Sequence, residues 1–447
     1  MIKVVYIATH LISSFRKYKK TMSINWHKKT SQLDKYEDIY HLVMIPNSSE
    51  SIEVVETTFN SLIQSTFPKE RMIIAFAAEE RHPISIENAE IMKEKYANIF
   101  HSFNISIHPD GIAGEVAGKG ANLTWAGKKV KENIIDKYKI PYENIIVSVF
   151  DIDTCVDTSY FDYLTHTYLN HLNPTRSSYQ PIPMFNNNIW DAPAIMRVAA
   201  TGTTFWLMAE QVRPERLFTF SSHSMPFKAV IDVGWWQTDI VSDDSRIFLQ
   251  CFLHYSGNYQ VTPLHMPVYM DTVLSDTWWK SLKNLYKQQR RWAWGSENIP
   301  YMLWNFKGRK DISLAKRMYH IFNQMEGMWS WGTASLIVFF GGYLPLWLID
   351  SGQQTTVIAQ NAPFVLQYML TIANVGLILS VILGTTILPP RPSHHRPRKY
   401  AMMIIQWVFL PVSMIVFGAI PAIESQTRLM LGKYLGFYVT EKTRKKT

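Results

Sequence analysis

Apolar runs that end in polar or acidic residues recur through the first third of this chain. His41 to Pro46 closes on Pro46-Asn47, Arg71 to Ala77 on Glu79-Glu80, and Asn144 to Phe150 on Asp151-Ile152-Asp153. Each run is short and continuous, the pattern of a buried strand. Phe103 to His108 alternates as a strand does. Helical spacings lie between the runs. Ile52, Val55, Phe59, Leu62 and Ile63 recur within Glu50 to Phe67, and a second helix is predicted over Glu87 to Phe100. A third carries Leu123, Ala126, Val130, Ile134 and Tyr138 within Ala121 to Tyr138. Strands alternating with helices predict parallel pairing in a doubly wound α/β sheet. Ligands in such sheets bind beyond the carboxyl ends of the strands, and all three polar endings fall there.

The last quarter has a different character. Asp311 to Glu326 reads as an amphipathic interfacial helix, and Trp329 to Ile349 and Pro363 to Leu388 are each long enough to span a bilayer. The intervening Asp350 to Ala362 has no Lys or Arg, so it is expected outside. Pro389 to Tyr400 carries Arg391, Arg396, Arg398 and Lys399, so it is expected inside. A third apolar stretch, Met402 to Ile423, contains Pro411, Gly418 and Pro421, and a basic tail with Lys442, Arg444, Lys445 and Lys446 follows. A broken, re-entrant hairpin would return that tail to the cytoplasmic side and is preferred to a third span. Met1 to Ile12 is a short apolar stretch ahead of Arg16, Lys17, Lys19 and Lys20. It reads as an interfacial helix or the stump of a membrane anchor. These shifts divide the chain into 1–39, a soluble unit over 40–310, and a membrane-associated 311–447.

The net charge of +9 over 447 residues then fits Lys and Arg facing anionic lipid. Nucleic acid is not an expected partner, because no dense basic stretch is interleaved with aromatics in the soluble part. The two cysteines, Cys155 and Cys251, have no metal or redox spacing, as expected of a reducing, cytosol-facing domain.

Asp151 and Asp153 are two apart at a strand end. On extended backbone both carboxylates would share a face and could hold Mg2+ or Mn2+ against a diphosphate. Such triplets are also common in turns and caps. Asp243-Asp244 opens the run Ser245 to Phe252. This pair reads either as a helix N-cap or as a general base held at a helix start. Gln288, Arg291 and Trp292 lie at i, i+3 and i+4, hence on one helical face. The guanidinium can fork onto phosphates and the indole can pack on a sugar ring, although a cationic interfacial helix with a Trp anchor has the same composition.

Glu79-Glu80, Asp151-Ile-Asp153, Asp243-Asp244 and Gln288-x-x-Arg291-Trp292, in that order ahead of apolar segments, resemble the membrane-bound family 2 glycosyltransferases. These are the cellulose-synthase, hyaluronan-synthase and ceramide-glucosyltransferase-like group. The resemblance covers roughly residues 40 to 440 and implies a GT-A-like (Rossmann-like) α/β domain with a mixed sheet. It further implies Asp244 as catalytic base and Asp153, with Asp151, on the metal. Pro46, Glu79 or Glu80, Lys119, Asp151, Gln288 and Arg291 would meet the nucleotide-sugar donor. Trp292 would lie beside the acceptor sugar, near Asp243. Lys119 enters through Gly118-Lys119-Gly120-Ala121-Asn122, which resembles the family's Lys-Gly-Asn segment. Two departures stand out: Glu replaces the usual Asp after the second strand, and Ser242-Asp243-Asp244 replaces Thr-Glu-Asp.

The expected activity is an inverting, metal-dependent, hexosyltransferase-type transfer to a growing polysaccharide at the cytoplasmic face of the cell membrane, by a multi-pass protein with room for accessory membrane subunits. Single transfer to a lipid acceptor is the alternative, and a non-catalytic membrane scaffold with a degenerate fold is the rival class. His223 lies where an acceptor loop would run, though a surface or core histidine is the commoner fate. Asn186-Asn187-Asn188-Ile189-Trp190-Asp191 reads equally as a sugar-binding rim or a plain loop. His394-His395, in a basic loop, read as poor metal candidates.

Overall fold

The computed structural model describes residues 2–348 and 357–436. The expected outside loop from Asp350 and the basic tail from Lys442 therefore lie largely or wholly outside the described residues. The centre of the molecule is one eight-stranded mixed sheet: β1 Tyr40–Pro46, β2 Met72–Glu79, β3 Ser102–His108, β4 Ile145–Val149, β5 Cys155–Val156, β6 Ser177–Phe185, β7 Ser224–Pro226 and β8 Gln260–Met270. The spatial order is β3-β2-β1-β4-β7-β6-β8-β5.

The first half of the sheet follows from the hydrophobic pattern. β1, β2 and β4 are apolar except at His41, Glu79 and Ser148 and are buried on both faces, which requires helices on both sides. Parallel pairing joins β3 to β2, β2 to β1 and β1 to β4. The helices Ile52–Ile63 and Pro83–Tyr96 follow β1 and β2, and Lys119–Val130 precedes β4. One side packs Val55, Phe59 and Leu62 on Ile45, Ile74 and Phe76, the other Leu123, Ala126 and Val130 on Leu42, Met44 and Ile73. The third helix passes into one π turn, Lys131–Ile135, within the predicted Ala121 to Tyr138.

The second half carries the antiparallel pairing that makes the sheet mixed, as the family resemblance implied. β7 runs antiparallel to both β4 and β6, and β5 runs antiparallel to β8. Their sequences mix Ser, Gln, His and Pro with apolar residues, so no apolar run marks them. Burial there comes from tertiary contact: Ser177, Ser178 and Gln180 have no accessible surface, and their polar groups are satisfied by neighbours such as the Thr262 and Tyr259 hydroxyls.

At the C-terminal end, the predicted interfacial helix and first span form one helix, Leu314–Leu348. A second helix, Val357–Thr386, covers most of the second predicted span. The third apolar stretch is an unreversed helical run, Lys399–Met430, passing through a 3-10 turn at Gln406–Phe409 and a π turn at Ile415–Ala419. Pro411 and Gly418 are absorbed as these local changes of winding, so the expected hairpin does not form. Among the described residues this is the one run long and apolar enough to cross a membrane, with mean hydropathy 2.1.

The N-terminal helix, Ile2–Met22, is longer than its apolar stretch suggested. Its Leu11 packs among Ile182, Met184, Val198, Phe205, Leu383 and Trp407, which ties it to the sheet, the helix Ala194–Glu210 and the C-terminal helices. A carboxylate makes a second tie. Glu424, in the last helical run, accepts from the Tyr286 hydroxyl at 2.7 Å and the Arg290 guanidinium at 2.6 Å. Both donors sit on the helix Trp278–Ala293, which also carries Gln288 and Arg291.

Gly127 shows how closely Lys119–Val130 approaches its neighbours, since a Cβ there would come within 2.3 Å of the Trp235 ring. Gly127→Ala is expected to lower stability by about 1–3 kcal/mol through overpacking. Thermal unfolding of the detergent-solubilised protein measures it, and an unchanged midpoint would show that Trp235 gives way freely.

Candidate active site

Two helix N-termini meet beside the carboxyl end of β4. One opens Lys119–Val130 and the other opens Asp243–His254. The contact requires Gly120, because a Cβ there would stand 2.7 Å from the Gln237 carbonyl oxygen and 3.0 Å from Asp243 Cβ. Both termini present positive dipole ends, which favour carboxylates and phosphates. Ser242, rather than Asp243, is the N-cap residue of the second helix. Its hydroxyl and its amide both donate to Glu297, which also accepts from the Trp294 indole N–H. The start of this helix is thereby bound to the segment that follows Gln288-x-x-Arg291-Trp292.

Lys119 stands at the junction. Its Nζ lies 2.8 Å from Asp151 Oδ1 and 3.0 Å from Asp244 Oδ1. Burial alone would lower the lysine pKa, but Asp151, Asp244 and Asp243 outweigh it and hold the ammonium well above the ordinary lysine range. For Arg291 burial dominates and pulls the pKa down, against the opposing fields of Asp151, Asp243 and Asp244. Five ionisable residues from four separated stretches of sequence therefore share one electrostatic neighbourhood.

Asp243 is the buried member. Its Oδ2 has no hydrogen-bond partner among the described residues. Burial, and then the Asp244 charge, push its carboxyl up to about 8, against the pull of Lys119 and Arg291. It carries its proton at neutral pH while Asp244 faces Lys119. The two adjacent carboxyls thus have different roles set by environment.

The Asp-x-Asp departs from the expected geometry. Thr154 N–H donates to the Asp151 carbonyl at 2.9 Å, so the backbone turns instead of staying extended. Asp151 is 30% exposed and meets Lys119. Asp153 has no accessible surface, and its Oδ2 accepts from the Asp271 amide at 2.7 Å. The two carboxylates do not share one face in the way the spacing suggested.

The other candidates divide. Pro46 and Glu79 end β1 and β2 on the same edge of the sheet as Asp151. Glu79 is buried and engaged by Arg81 at 3.3 Å and His108 at 3.5 Å, whereas the Glu80 carboxylate accepts from the Asp110 amide at 3.0 Å. His223 is fully buried beside the cluster, its Nδ1 donating to the Phe220 carbonyl at 2.8 Å and standing 3.8 Å from Asp244 Oδ1. Burial, first of all, depresses its pKa, so the ring is neutral. Gln288 and Trp292 line a recess of about 10 Å³ with Phe185, Asp271 and Thr272, and the Trp292 ring tilts against Phe185 at 5.9 Å.

Sequence reasoning missed Asp271, Glu297 and Glu424, and gave Asn187 only as part of a sugar-binding rim or plain loop over 186–191. Asn187 donates to the carbonyls of Asp153 and Tyr269 and so braces the turn. None of these residues sits in a recognisable spacing, because each acts across at least one long-range contact.

A carboxyl whose folded pKa exceeds its unfolded value binds its proton more tightly in the folded chain. Ionising Asp243 therefore removes stability as pH rises from about 4 toward 8. Asp243→Asn is expected to raise the apparent unfolding temperature at pH 8 by at least about 2 °C more than at pH 5. Equal gains at both pH values would contradict the assignment.

Comparisons with known proteins bear on this site. A profile described as glycosyl transferase family group 2 matches residues 146–420. No curated protein matches the chain. Among solved structures it is similar to the mannosyltransferase PcManGT from Pyrobaculum calidifontis in complex with GDP-Man and Mn2+, at 12% identity over 85% of this chain and 99% of that one, with a TM-score of 0.45. It is also similar to S. aureus TarS 1-349 in complex with UDP-GlcNAc, at 10% identity over 89% of this chain and 93% of that one, with a TM-score of 0.39. Because the family profile spans more than half of its length, from β4 through most of the last helical run, the chain belongs to glycosyl transferase family group 2.

Proposed function

We propose that this glycosyltransferase moves a hexosyl group from a nucleoside-diphosphate donor to an acceptor hydroxyl, with inversion and with the help of a divalent cation, and that it extends a polysaccharide at the cytoplasmic face of a membrane. The observation that carries the reading is the Lys119 ammonium held at 2.8 and 3.0 Å by Asp151 and Asp244, with Arg291 in the field of the same carboxylates.

The charge balance supports a metal. With Asp243 protonated, Lys119 and Arg291 offset Asp151 and Asp244. A nucleotide-sugar diphosphate brings about two further negative charges, and Mg2+ or Mn2+ held by carboxylate oxygens offsets them. The oxygens present suit such an ion, since Asp151 Oδ1 and Asp244 Oδ1 already converge on one cationic atom, the Lys119 Nζ. Asp151, 30% exposed, is the residue that would hold it, whereas Asp153, also expected on the metal, has no accessible surface and has its Oδ2 occupied by the Asp271 amide. When bound, the cation supplies charge neutralisation at the leaving diphosphate.

The remaining steps belong to side chains. Gln288 and Arg291 bind the diphosphate, and Lys119 spans the gap between the donor side and the base. Pro46 and Glu79 or Glu80 border the nucleotide. Asp244 accepts the proton of the acceptor hydroxyl as its oxygen forms a bond to the anomeric carbon, and the bond from that carbon to the diphosphate oxygen breaks. Protonated Asp243 can donate a hydrogen bond without adding charge. Trp292 offers the acceptor sugar a flat apolar face, with His223 packed behind Asp244.

On this reading residues 40–310 are the catalytic unit and 311–447 the membrane unit, with 1–39 as a docked helix and linker. Exposed Phe322, Trp329, Ile337 and Ile378 on the C-terminal helices support contact with lipid. Arg391, Arg396 and Arg398 support a cytoplasmic loop. One observation favours the second reading, a lipid acceptor: Glu424 ties the helix carrying Gln288 and Arg291 to the apolar run, so an acceptor site there would border an apolar face.

Asp244→Asn is expected to lower kcat about 10²- to 10⁴-fold with little change in donor KM. Arg291→Ala is expected to weaken donor binding roughly 10- to 100-fold. Both are read from metal-dependent nucleoside diphosphate release by detergent-solubilised protein over a donor panel. Turnover that survives Asp244→Asn would sink the base assignment. No turnover with any donor would favour a scaffold. Product mass separates a polymer ladder from a single sugar added to lipid.

A further inference from the structure

The loop between the last two helical runs reaches back to the catalytic domain and completes a cluster that neither segment forms alone. His394 Nε2 stands 3.4 Å, and His395 Nε2 2.9 Å, from one atom, Asp191 Oδ1. The three ligand atoms all lie within 4.8 Å of one another. We propose that Asp191, His394 and His395 bind one zinc-class transition-metal ion, with water in the fourth position, and that this ion staples the segment 186–191 to the loop 389–398.

The distances suit the chemistry. Zinc takes imidazole nitrogen at about 2.0–2.1 Å and carboxylate oxygen at about 2.0–2.2 Å, so tetrahedral neighbours stand about 3.3–3.4 Å apart. The 3.4 Å separation meets that spacing, and the 2.9 Å one, a direct hydrogen bond here, would open by about 0.4 Å on metal binding. Two neutral imidazoles and one carboxylate leave a single positive charge on the complex. His394 is 43% exposed while Asp191 and His395 are 15% and 18% exposed, which gives the ion a route in and leaves a side for water.

The loop's basic residues argue for the class of metal. Arg391, Arg396 and Arg398 oppose any cation held by charge alone, which disfavours Mg2+ and Ca2+. Imidazole donors select Zn2+, Co2+, Ni2+ or Cu2+. The ligands are also held in advance. The Trp190 indole N–H donates to the Pro389 carbonyl at 3.0 Å, and the Asn186 amide to the Ile387 carbonyl at 3.2 Å. Buried Trp190 packs edge-on against Tyr400 and tilted against His395. Four prolines, at 389, 390, 392 and 397, stiffen the loop, so little entropy remains to be lost when a metal binds.

The staple lies four residues from Asn187, whose side chain donates to the Asp153 carbonyl at 3.0 Å. A metal at Asp191 would therefore hold the segment that braces the Asp-x-Asp turn. Within their own basic loop His394 and His395 are poor ligands. Their third partner lies about two hundred residues away in sequence.

The full chain in detergent, stripped with chelator and kept in excess Mg2+, is titrated with Zn2+ and separately with Co2+. Bound metal per chain and the visible Co2+ ligand-field bands are the readouts. The expected result is one Zn2+ per chain and a Co2+ spectrum of tetrahedral type, both retained in Asp151→Asn. Affinity should fall at least about tenfold in His394→Ala, His395→Ala and Asp191→Asn. His394 is exposed enough that its alanine variant keeps the fold, which the unfolding temperature of the metal-free protein checks. Absence of stoichiometric Zn2+ binding overturns the proposal. So does binding that is unchanged in His394→Ala and Asp191→Asn, or binding lost in Asp151→Asn and kept in His394→Ala. None of these readouts depends on turnover, so the glycosyl-transfer reading stands or falls separately.

Discussion

The Lys119 ammonium between Asp151 and Asp244 is the interaction on which the rest of the site depends. Three carboxyls lie in one partly dehydrated cleft, and their mutual repulsion is tolerable only with compensating charge. Lys119 and Arg291 supply part of it, two helix N-termini supply more, and Asp243 reduces the demand by keeping its proton. The backbone is shaped for this arrangement. Gly120 lets the two helix starts touch, and the parallel strands deliver Asp151 at the same edge as Pro46 and Glu79. A diphosphate entering such a place meets oriented charge with little reorganisation still to occur.

The site is coupled to the C-terminal helices through ordinary side-chain bonds. Ser242 and Trp294 share Glu297, and Tyr286 and Arg290 share Glu424. The first pair joins the helix of Asp244 to the segment after Arg291, and the second joins the helix of Arg291 to the apolar run. The N-terminal helix packs on the same C-terminal helices through Leu11, which clusters with Leu383 and Trp407. Movement of the apolar helices would therefore be felt first at Gln288, Arg291 and Trp292. On the proposed reading, this is a physical route by which acceptor or lipid bears on the residues assigned to the donor.

Legibility in the sequence followed the strength of the local signal. β1, β2 and β4 were readable because both faces are buried, which keeps them nearly continuous in apolar residues despite His41 and Ser148. β6 and β8 were not, because buried Ser, Gln and Pro there are satisfied by partners from distant segments. The Asp-x-Asp was found but its geometry was not, since nothing local distinguishes a turn from an extended pair. The hairpin predicted around Pro411 and Gly418 failed for a related reason. Proline and glycine raise the cost of regular winding, but packing against the helix Leu314–Leu348 and the sheet side decides whether the chain turns or only changes pitch.

By itself the sequence determined the alternating α/β order, the apolar C-terminal segments, and the set of carboxylates and cations that the fold gathers around Lys119. Each of these is carried by residue type at short range. Only the tertiary structure decided which carboxyl keeps its proton, which one Lys119 holds, and that Asp191 meets His394 and His395. Those outcomes depend on dehydration and on distances of a few ångströms between segments far apart in the chain, and no spacing along a single strand of sequence encodes them.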